Sequence, residues 1–495
     1  MITRLKVNGF KNLNQVDVRF GPFTCIAGTN AVGKSNLFDA IRFLSELTWK
    51  SLHDAARSVR SEGQKASDVR DIFYKSRDTY ADLIEFEVDM IIPEEANDEL
   101  GQKAKASIRT VRYILKLRCR QEDEDQYLEI DTEELLPITQ TEAKRALYFE
   151  NSGKWRKSVI NGVRRSGAAF ISTIDKEESN EGDIPKVIRT VRLHMDQEKG
   201  KPFDRISSKL PRTVLSTLTA EYPTALVTQQ EMRLWIMLQL EPTALRRSDD
   251  FEKRKHARLE ANGAHIPATV SRIQSENIDQ DIYQQLANRL TELVEDIREI
   301  KIDKDDKREL LTIMVRFKDG NFFPARSLSD GTLRFLGLAV LEKDVNSGNV
   351  ICLEEPENGI HPEKIGAILQ LLQDIAVDPN QPEEKNNPLR QVILNTHSPL
   401  VVQQVPEDSL LMATGAEIYS QITQNKQKTV RFTPLQGTWR TKTPENENMS
   451  ASLGNLLVYL GSPSSLEISH LSRPSRKNRV IDRQDVKQLL LPFSL

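Results

Sequence analysis

Gly28-Thr29-Asn30-Ala31-Val32-Gly33-Lys34-Ser35 is the stretch that decides the fold. It follows an apolar, strand-like run, Phe23-Thr24-Cys25-Ile26-Ala27, and opens into Asn36-Leu37-Phe38-Asp39-Ala40-Ile41-Arg42-Phe43-Leu44, where apolar residues recur at helical spacing. Strand, glycine loop and helix in this order form the context of a phosphate-binding loop, which a mere glycine turn would lack. Backbone N–H groups and the helix N-terminus surround a polyphosphate, Lys34 reaches the β and γ phosphates, and the Ser35 hydroxyl suits a magnesium ion. The expected ligand is a nucleoside triphosphate, ATP, with Mg2+.

The chain has 495 residues, more than one core usually supports, so more than one domain or a large insertion is expected. It is 38% hydrophobic and 28% charged, with a net charge of -3 from 69 basic and 72 acidic residues. Any nucleic-acid surface must therefore be a local patch. Cys25, Cys119 and Cys352 sit singly in apolar runs without metal-site spacing and read as reduced core residues. With no apolar run near the ~18 residues of a membrane span, and no signal-peptide block at the N-terminus, a cytoplasmic protein without membrane contact is expected.

Residues 1–27 read as three strands, Ile2 to Val7, Val16 to Phe20 and Phe23 to Ala27, the first two forming a hairpin across Asn12-Leu13-Asn14. The alternating runs Asp82 to Val88 and Val111 to Leu117 read as antiparallel strands with one wet face. An acidic run, Glu122 to Glu134, precedes a basic one, Lys154-Trp155-Arg156-Lys157 with Arg164-Arg165; such runs are usually solvated faces, and the second is a candidate nucleic-acid contact. Lys176 to Pro185 reads as a surface loop, and from about 205 to 300 the pattern is mostly helical. Its clearest helix places Ile282, Leu286, Leu290, Leu293, Val294 and Ile297 on one face, as packed core. Leu310 to Phe317, Lys318-Asp319-Gly320-Asn321 and Phe322-Phe323 form a hairpin signal.

Three further stretches sharpen the chemistry. Ser327-Leu328-Ser329-Asp330-Gly331-Thr332 precedes a helix rich in Leu and Phe; Val350-Ile351-Cys352-Leu353-Glu354-Glu355-Pro356 is a buried strand ending in two carboxylates; Val392 to Asn395 ends at Thr396-His397-Ser398-Pro399. One carboxylate suits the water shell of a magnesium ion and the next can polarise an attacking water. A lone histidine is usually inert, and an acidic pair after a strand is usually solvated. Four such stretches in this order are hard to dismiss.

On these residues the chain resembles the ATP-binding-cassette (ABC) type ATPases of the RecF and SMC class, and within it the short RecF-like bacterial ATPases without coiled coils. The resemblance covers residues 1–45 and roughly 235–410 well. It implies an α/β fold, an ABC-type P-loop ATPase head with a mixed sheet plus a largely helical insertion serving as arm or lid. The head is expected over 1–120 and 300–435, the insertion over 121–299, and a C-terminal tail, a docking element, over 436–495. It also implies nucleotide binding by Gly28, Asn30, Gly33, Lys34, Ser35 and Asn36, with Lys11 of Phe10-Lys11-Asn12 near the nucleotide, and magnesium at Ser35 and Glu354. Glu355 is the implied catalytic base, His397 the switch histidine, and Ser329, Asp330 and Gly331 the signature loop that acts on the nucleotide of a second subunit. Leu240-Glu241-Pro242 with Arg246, and Asn262-Gly263, resemble a further family segment.

Glu354 stands where an aspartate is usual and Asp330 where a glycine is common, and the family's glutamine loop has no counterpart in the sequence, its place being expected before residue 235. The implied activity is slow ATP hydrolysis by a sandwich dimer that shares its sites. After His397 neither the glutamate-glycine stretch nor the Asp-x-Asp pair of nuclease-bearing relatives appears, so no nuclease activity is expected. The tail carries an apolar run, Leu453 to Leu460, a basic run, Arg473 to Arg479, and Val486 with Leu489 to Leu491. Two functions are implied: an ATP-driven switch for an operon-encoded nuclease or toxin, as in a Septu-like phage-defence pair, or a RecF-like DNA-repair ATPase that itself clamps DNA.

Overall fold

The computed structural model describes residues 1–59, 68–76, 79–122, 125–161, 168–178, 186–196, 203–255, 257–420, 425–443, 449–451, 454, 456 and 479–486. Arg164-Arg165, the loop 179–185, most of Leu453 to Leu460, the basic run up to residue 478 and Leu489 to Leu491 lie outside the described residues.

The main elements, in order, are β1 (Ile2–Asn8), β2 (Val16–Arg19), β3 (Phe23–Ala27), α1 (Lys34–Glu46), β4 (Leu83–Ile91), β5 (Thr110–Glu122), β6 (Asp125–Pro137), β7 (Ile171–Glu178), β8 (Lys186–Leu193), β9 (Phe203–Ile206), α2 (Pro223–Arg233) and β10 (Trp235–Leu238). They continue with α3 (Ile266–Glu276), α4 (Ile282–Thr291), β11 (Ile297–Asp305), β12 (Leu310–Phe317), β13 (Phe322–Pro324), α5 (Asp330–Lys343), β14 (Val350–Glu354), α6 (Ile365–Ile375), β15 (Gln391–Thr396), β16 (Leu410–Ser420) and β17 (Asn425–Pro434).

Two sheets carry the head. One has the order β10-β14-β15-β3-β16-β17, parallel from β10 to β16 and closed by antiparallel β17. Its central strands β3 and β15 are buried along their whole length, as expected of parallel strands covered on both faces. Ile26, Cys352 and Ile393 face α1, whose Leu37, Phe38, Ile41 and Leu44 share their core. Cys25, Ile351, Leu353, Val392 and Leu394 face the opposite way, onto α5 and α6. The second sheet, β9-β8-β7-β6-β5-β4-β1-β2, is antiparallel throughout and closes over the other side of α1. Phe10, Phe43 of α1 and Phe86 of β4 meet there with ring centroids 5.5 to 5.9 Å apart.

The α/β class with a mixed sheet is what the structure has, and the expected hairpins are present. The stretch 121–299 needs correction before residue 223. There β6 to β9 extend the antiparallel sheet, and helices prevail only from α2 onward. The charged sequence concealed these strands because their polar face is zipped by cross-strand ion pairs, Arg118 with Asp131 at 2.7 Å and Arg120 with Glu129 at 2.6 Å. In the basic run, Trp155 is fully buried, so Lys154 and Lys157 alone of that tetrad are exposed. The helix expected through Ile297 ends at Thr291, because Ile297 pairs with Phe317 in the β11–β12 ladder.

Gly9 takes φ +77°, and a Cβ there would lie 2.2 Å from the Leu83 carbonyl oxygen. Its N–H donates to Asn14 Oδ1 at 3.0 Å, which fixes the turn carrying Phe10, Lys11 and Asn12. Gly9→Ala is expected to cost about 1–3 kcal/mol, read as a lowered thermal midpoint; an unchanged midpoint would show that the turn can move away from β4.

Candidate nucleotide site

The phosphate loop is built from its backbone outward. Ala31 and Gly33 take φ +64° and +110°, bending the chain between the end of β3 and the first turn of α1. The φ of Gly33 strains any other side chain, and a Cβ there would also lie 2.1 Å from the Asn12 amide and displace it. Lys34 Nζ donates to the Gly28 and Thr29 carbonyl oxygens at 2.6 and 2.9 Å, so the cradle is pinned by its own lysine. Burial lowers the Lys34 pKa, and Glu355, Glu354 and Glu357 act against that lowering. One ammonium thus lies in the field of three carboxylates, and an arriving polyphosphate would exchange carbonyl partners for charged ones. Thr29, Asn30 and Ser35 are exposed. The hard oxygen donors Ser35 and Glu354 suit Mg2+.

The carboxylates come from the tip of β14. Asn395 Nδ2 donates to Glu354 Oε1 at 3.0 Å. Glu355 takes φ +48°, a strained conformation for a side chain of this size, and its N–H donates to the Asn395 carbonyl at 2.9 Å. His397 Nδ1 lies 2.7 Å from Glu355 Oε1 and Asn358 Nδ2 lies 2.8 Å from Oε2, so both oxygens of the carboxylate are aimed. A base aimed in this way is suited to take a proton from an attacking water.

Ser329, Asp330 and Gly331, the expected signature loop, form a second cluster. Ser329 caps α5, its Oγ accepting the Thr332 N–H at 3.3 Å. Arg246 pairs with Asp330 and donates to the Arg326 and Leu328 carbonyls at 3.2 and 3.3 Å, which fixes the loop. Gly331 packs against the Gly359 carbonyl, 2.3 Å from where a Cβ would stand. Arg334 Nη1 donates to the Asn358 carbonyl at 2.5 Å. The helix α5 is thereby joined to the loop bearing Glu355.

Two sites depart from the sequence reading. Lys11, at φ +47° and buried, pairs through Nζ with Asp39 of α1. The next residue touches the phosphate loop instead: Asn12 Nδ2 donates to the Val32 carbonyl at 3.1 Å, and Asn36 Nδ2 donates to Asn12 Oδ1 at 2.8 Å. The glutamine loop was expected before residue 235, and a glutamine beside the carboxylates stands after that residue. Gln239 follows β10, whose Leu238 is in register with Leu353, and it lines a cavity of about 280 Å³ with Glu241, Arg334, Glu354, Glu355 and Asn358. The Glu241 N–H donates to the Asn262 carbonyl at 2.8 Å, so the two halves of the resembling segment meet. A four-residue strand with no turn signal before it leaves no mark by which sequence could find Gln239.

Lys34→Ala is expected to abolish ATP binding. Glu355→Gln is expected to preserve the dissociation constant within about threefold while turnover falls by about 10²–10⁴; Gln239→Ala should lower turnover more than affinity. Calorimetric titration beside a phosphate-release assay separates the three.

A family model described as an AAA domain matches residues 4–319, and another, described as "AAA domain, putative AbiEii toxin, Type IV TA system", matches residues 242–403. The DNA replication and repair protein RecF of Phocaeicola vulgatus is 32% identical over 65 residues, a match covering 13% of this chain and 18% of that relative. Among solved structures, an Smc head bound to the C-winged helix domain of ScpA is 13% identical, with a TM-score of 0.45, over 88% of this chain and 98% of its own. The SMC head domain from Thermotoga maritima is 12% identical, with a TM-score of 0.36, over 88% and 99%. Since the first model takes in well over half the chain, from β1 to the β12–β13 hairpin, and the phosphate loop stands at the end of a buried parallel strand, the chain belongs to the AAA-domain family.

Proposed function

We propose that this ATPase is a switch that closes as an ATP-sandwich homodimer and thereby controls an operon-encoded effector, a nuclease or toxin, in bacterial phage defence. The observation that carries the reading is the division of the chemistry into two centres. Lys34 of the phosphate loop interacts electrostatically with Glu354 and Glu355, and Glu355 contacts His397, whereas Ser329 and Gly331 stand on a loop held by Arg246 and Gly359. A second subunit would bring its signature loop to the γ-phosphate, where the Ser329 hydroxyl and the Gly331 N–H donate to developing negative charge. Magnesium held by Ser35 and Glu354 would supply charge neutralisation at the phosphates. Glu355 takes the proton of the attacking water, its carboxylate held in place by His397 and Asn358. Gln239 completes the polar wall beside Glu354. ATP then acts as an interface ligand that shifts the population toward the closed form.

The family model over residues 242–403, whose description names a putative toxin of a toxin–antitoxin system, supports an effector-linked setting. The 65-residue likeness to RecF favours the second reading, a DNA-repair ATPase that clamps DNA itself. Exposed Lys154 and Lys157 on the short helix Gly153–Val159 are its candidate contacts.

Mixing Lys34→Ala subunits with Ser329→Arg subunits should restore one working site per heterodimer, about half of the wild-type rate, while either variant alone is inactive. Heterodimers that form without any ATPase activity would refute the shared site. For the two settings, Glu355→Gln protein with ATP is expected to co-purify with the product of the adjacent gene and to leave duplex DNA unshifted; a DNA shift without protein capture would select the clamp, and metal-dependent DNA cleavage by the chain alone would remove the need for an effector.

A further inference from the structure

Two residues past the catalytic-base candidate, a third carboxylate turns back beneath the phosphate loop. Glu357 Oε1 accepts a hydrogen bond from Thr396 Oγ1 at 2.5 Å, and Thr396 Oγ1 in turn accepts the Ser398 N–H at 2.9 Å. Thr396 is fully buried at the end of β15, opposite Ala27 of β3 in the parallel ladder. The flanking residues of Pro356 therefore grip neighbouring residues of one loop: Glu355 holds His397 and Glu357 holds Thr396. A single bond between Glu355 and His397 would leave the exposed imidazole free to swing, since 43% of its side chain is open to solvent. The second bond, one residue earlier and buried, removes that freedom by fixing the backbone from which His397 projects.

Glu357 Oε2 is buried and has no hydrogen-bond partner among the described residues. Burial raises the Glu357 pKa, the bond from Thr396 opposing it, so the group does not serve as an ordinary solvated carboxylate. An unpaired buried oxygen is costly, and polar groups kept at such a cost concentrate where geometry matters for function.

We infer that Glu357 is a positioning residue for ATP hydrolysis, acting through Thr396 to fix the switch loop so that His397 holds Glu355 on the attacking water. This rests on Glu355 being the base of the proposed reaction. No proton passes through Glu357; it accepts one hydrogen bond and transmits position.

The test measures kcat, the ATP dissociation constant and the thermal midpoint for Glu357→Ala, Glu357→Gln, Thr396→Val and Glu355→Gln in the full chain with Mg2+. Glu357→Ala and Thr396→Val should each lower kcat tenfold or more with affinity changed less than threefold, and the double variant should lose no more than either alone. Glu357→Gln keeps an oxygen for Thr396 and puts an amide where the oxygen has no donor to lose, so it should recover most of the rate. Wild-type turnover by Glu357→Ala, beside an inactive Glu355→Gln, overturns the positioning role and leaves the base assignment standing; wild-type turnover by Glu355→Gln overturns both. A Glu357→Gln variant as slow as Glu357→Ala shows that charge and not the bond is required, which also overturns the inference. Should Glu357→Ala fail to fold, Thr396→Val and Glu357→Gln decide the matter.

Discussion

The register of the buried parallel strands is the constraint on which the site depends. Asn395 lies opposite both Glu354 and Ile26, and Thr396 opposite Ala27, so β14, β15 and β3 end side by side at one edge of the sheet. From these three ends spring the paired carboxylates, His397 and the phosphate loop. Backbone ladders, more than any side-chain contact, bring residues hundreds of positions apart within hydrogen-bond reach. A slip of one residue in any ladder would turn each side chain to the opposite face and dissolve the arrangement.

Rigid strands do not by themselves aim the chemistry. That falls to short, strained connections: Glu355 at φ +48°, Lys11 at +47° and Ala31 at +64°. Two of them are held by hydrogen bonds, Glu355 through its N–H to the Asn395 carbonyl and its carboxylate to Asn358, Lys11 through its N–H to the Ile72 carbonyl. Deeply buried arginines brace the frame behind them. Arg390 donates to the Leu341 and Ser347 carbonyls, and burial brings its pKa down to about 10. Arg440 donates to Thr24 Oγ1 on β3 and to the Asp408 carbonyl, its pKa pushed down to about 9. Both remain cations at neutral pH and satisfy carbonyls of the last turn of α5 (Leu341) and of connecting segments (Ser347 and Asp408).

What the sequence made legible was local. The phosphate loop carries its own context within some twenty residues, and β14 and β15 announce themselves as apolar runs that stop at charged or polar residues. What stayed hidden was relational. Asn12 became part of the loop only because the β1–β2 turn folds over Gly33, and Gln239 drew meaning from a neighbour, Glu354, more than a hundred residues away. The strands β6 to β8 were masked by composition, since a face made of paired charges reads as a solvated run. Glu357 was passed over because an acidic residue in an acidic loop gives no sign that it points inward.

The strand order of the nucleotide-bearing sheet has a consequence for how this protein is made. β3 leaves the ribosome hundreds of residues ahead of its neighbours on either side, β15 and β16, which begin at Gln391 and Leu410. Until those residues emerge, the phosphate loop hangs from a strand with two open edges, a state prone to wrong pairing. The antiparallel sheet can assemble early from contiguous hairpins and shelter α1 in the meantime. Nucleotide capture is consequently a late event, reserved for chains translated past β16, and contacts of such long sequence separation make the last step of assembly intrinsically slow.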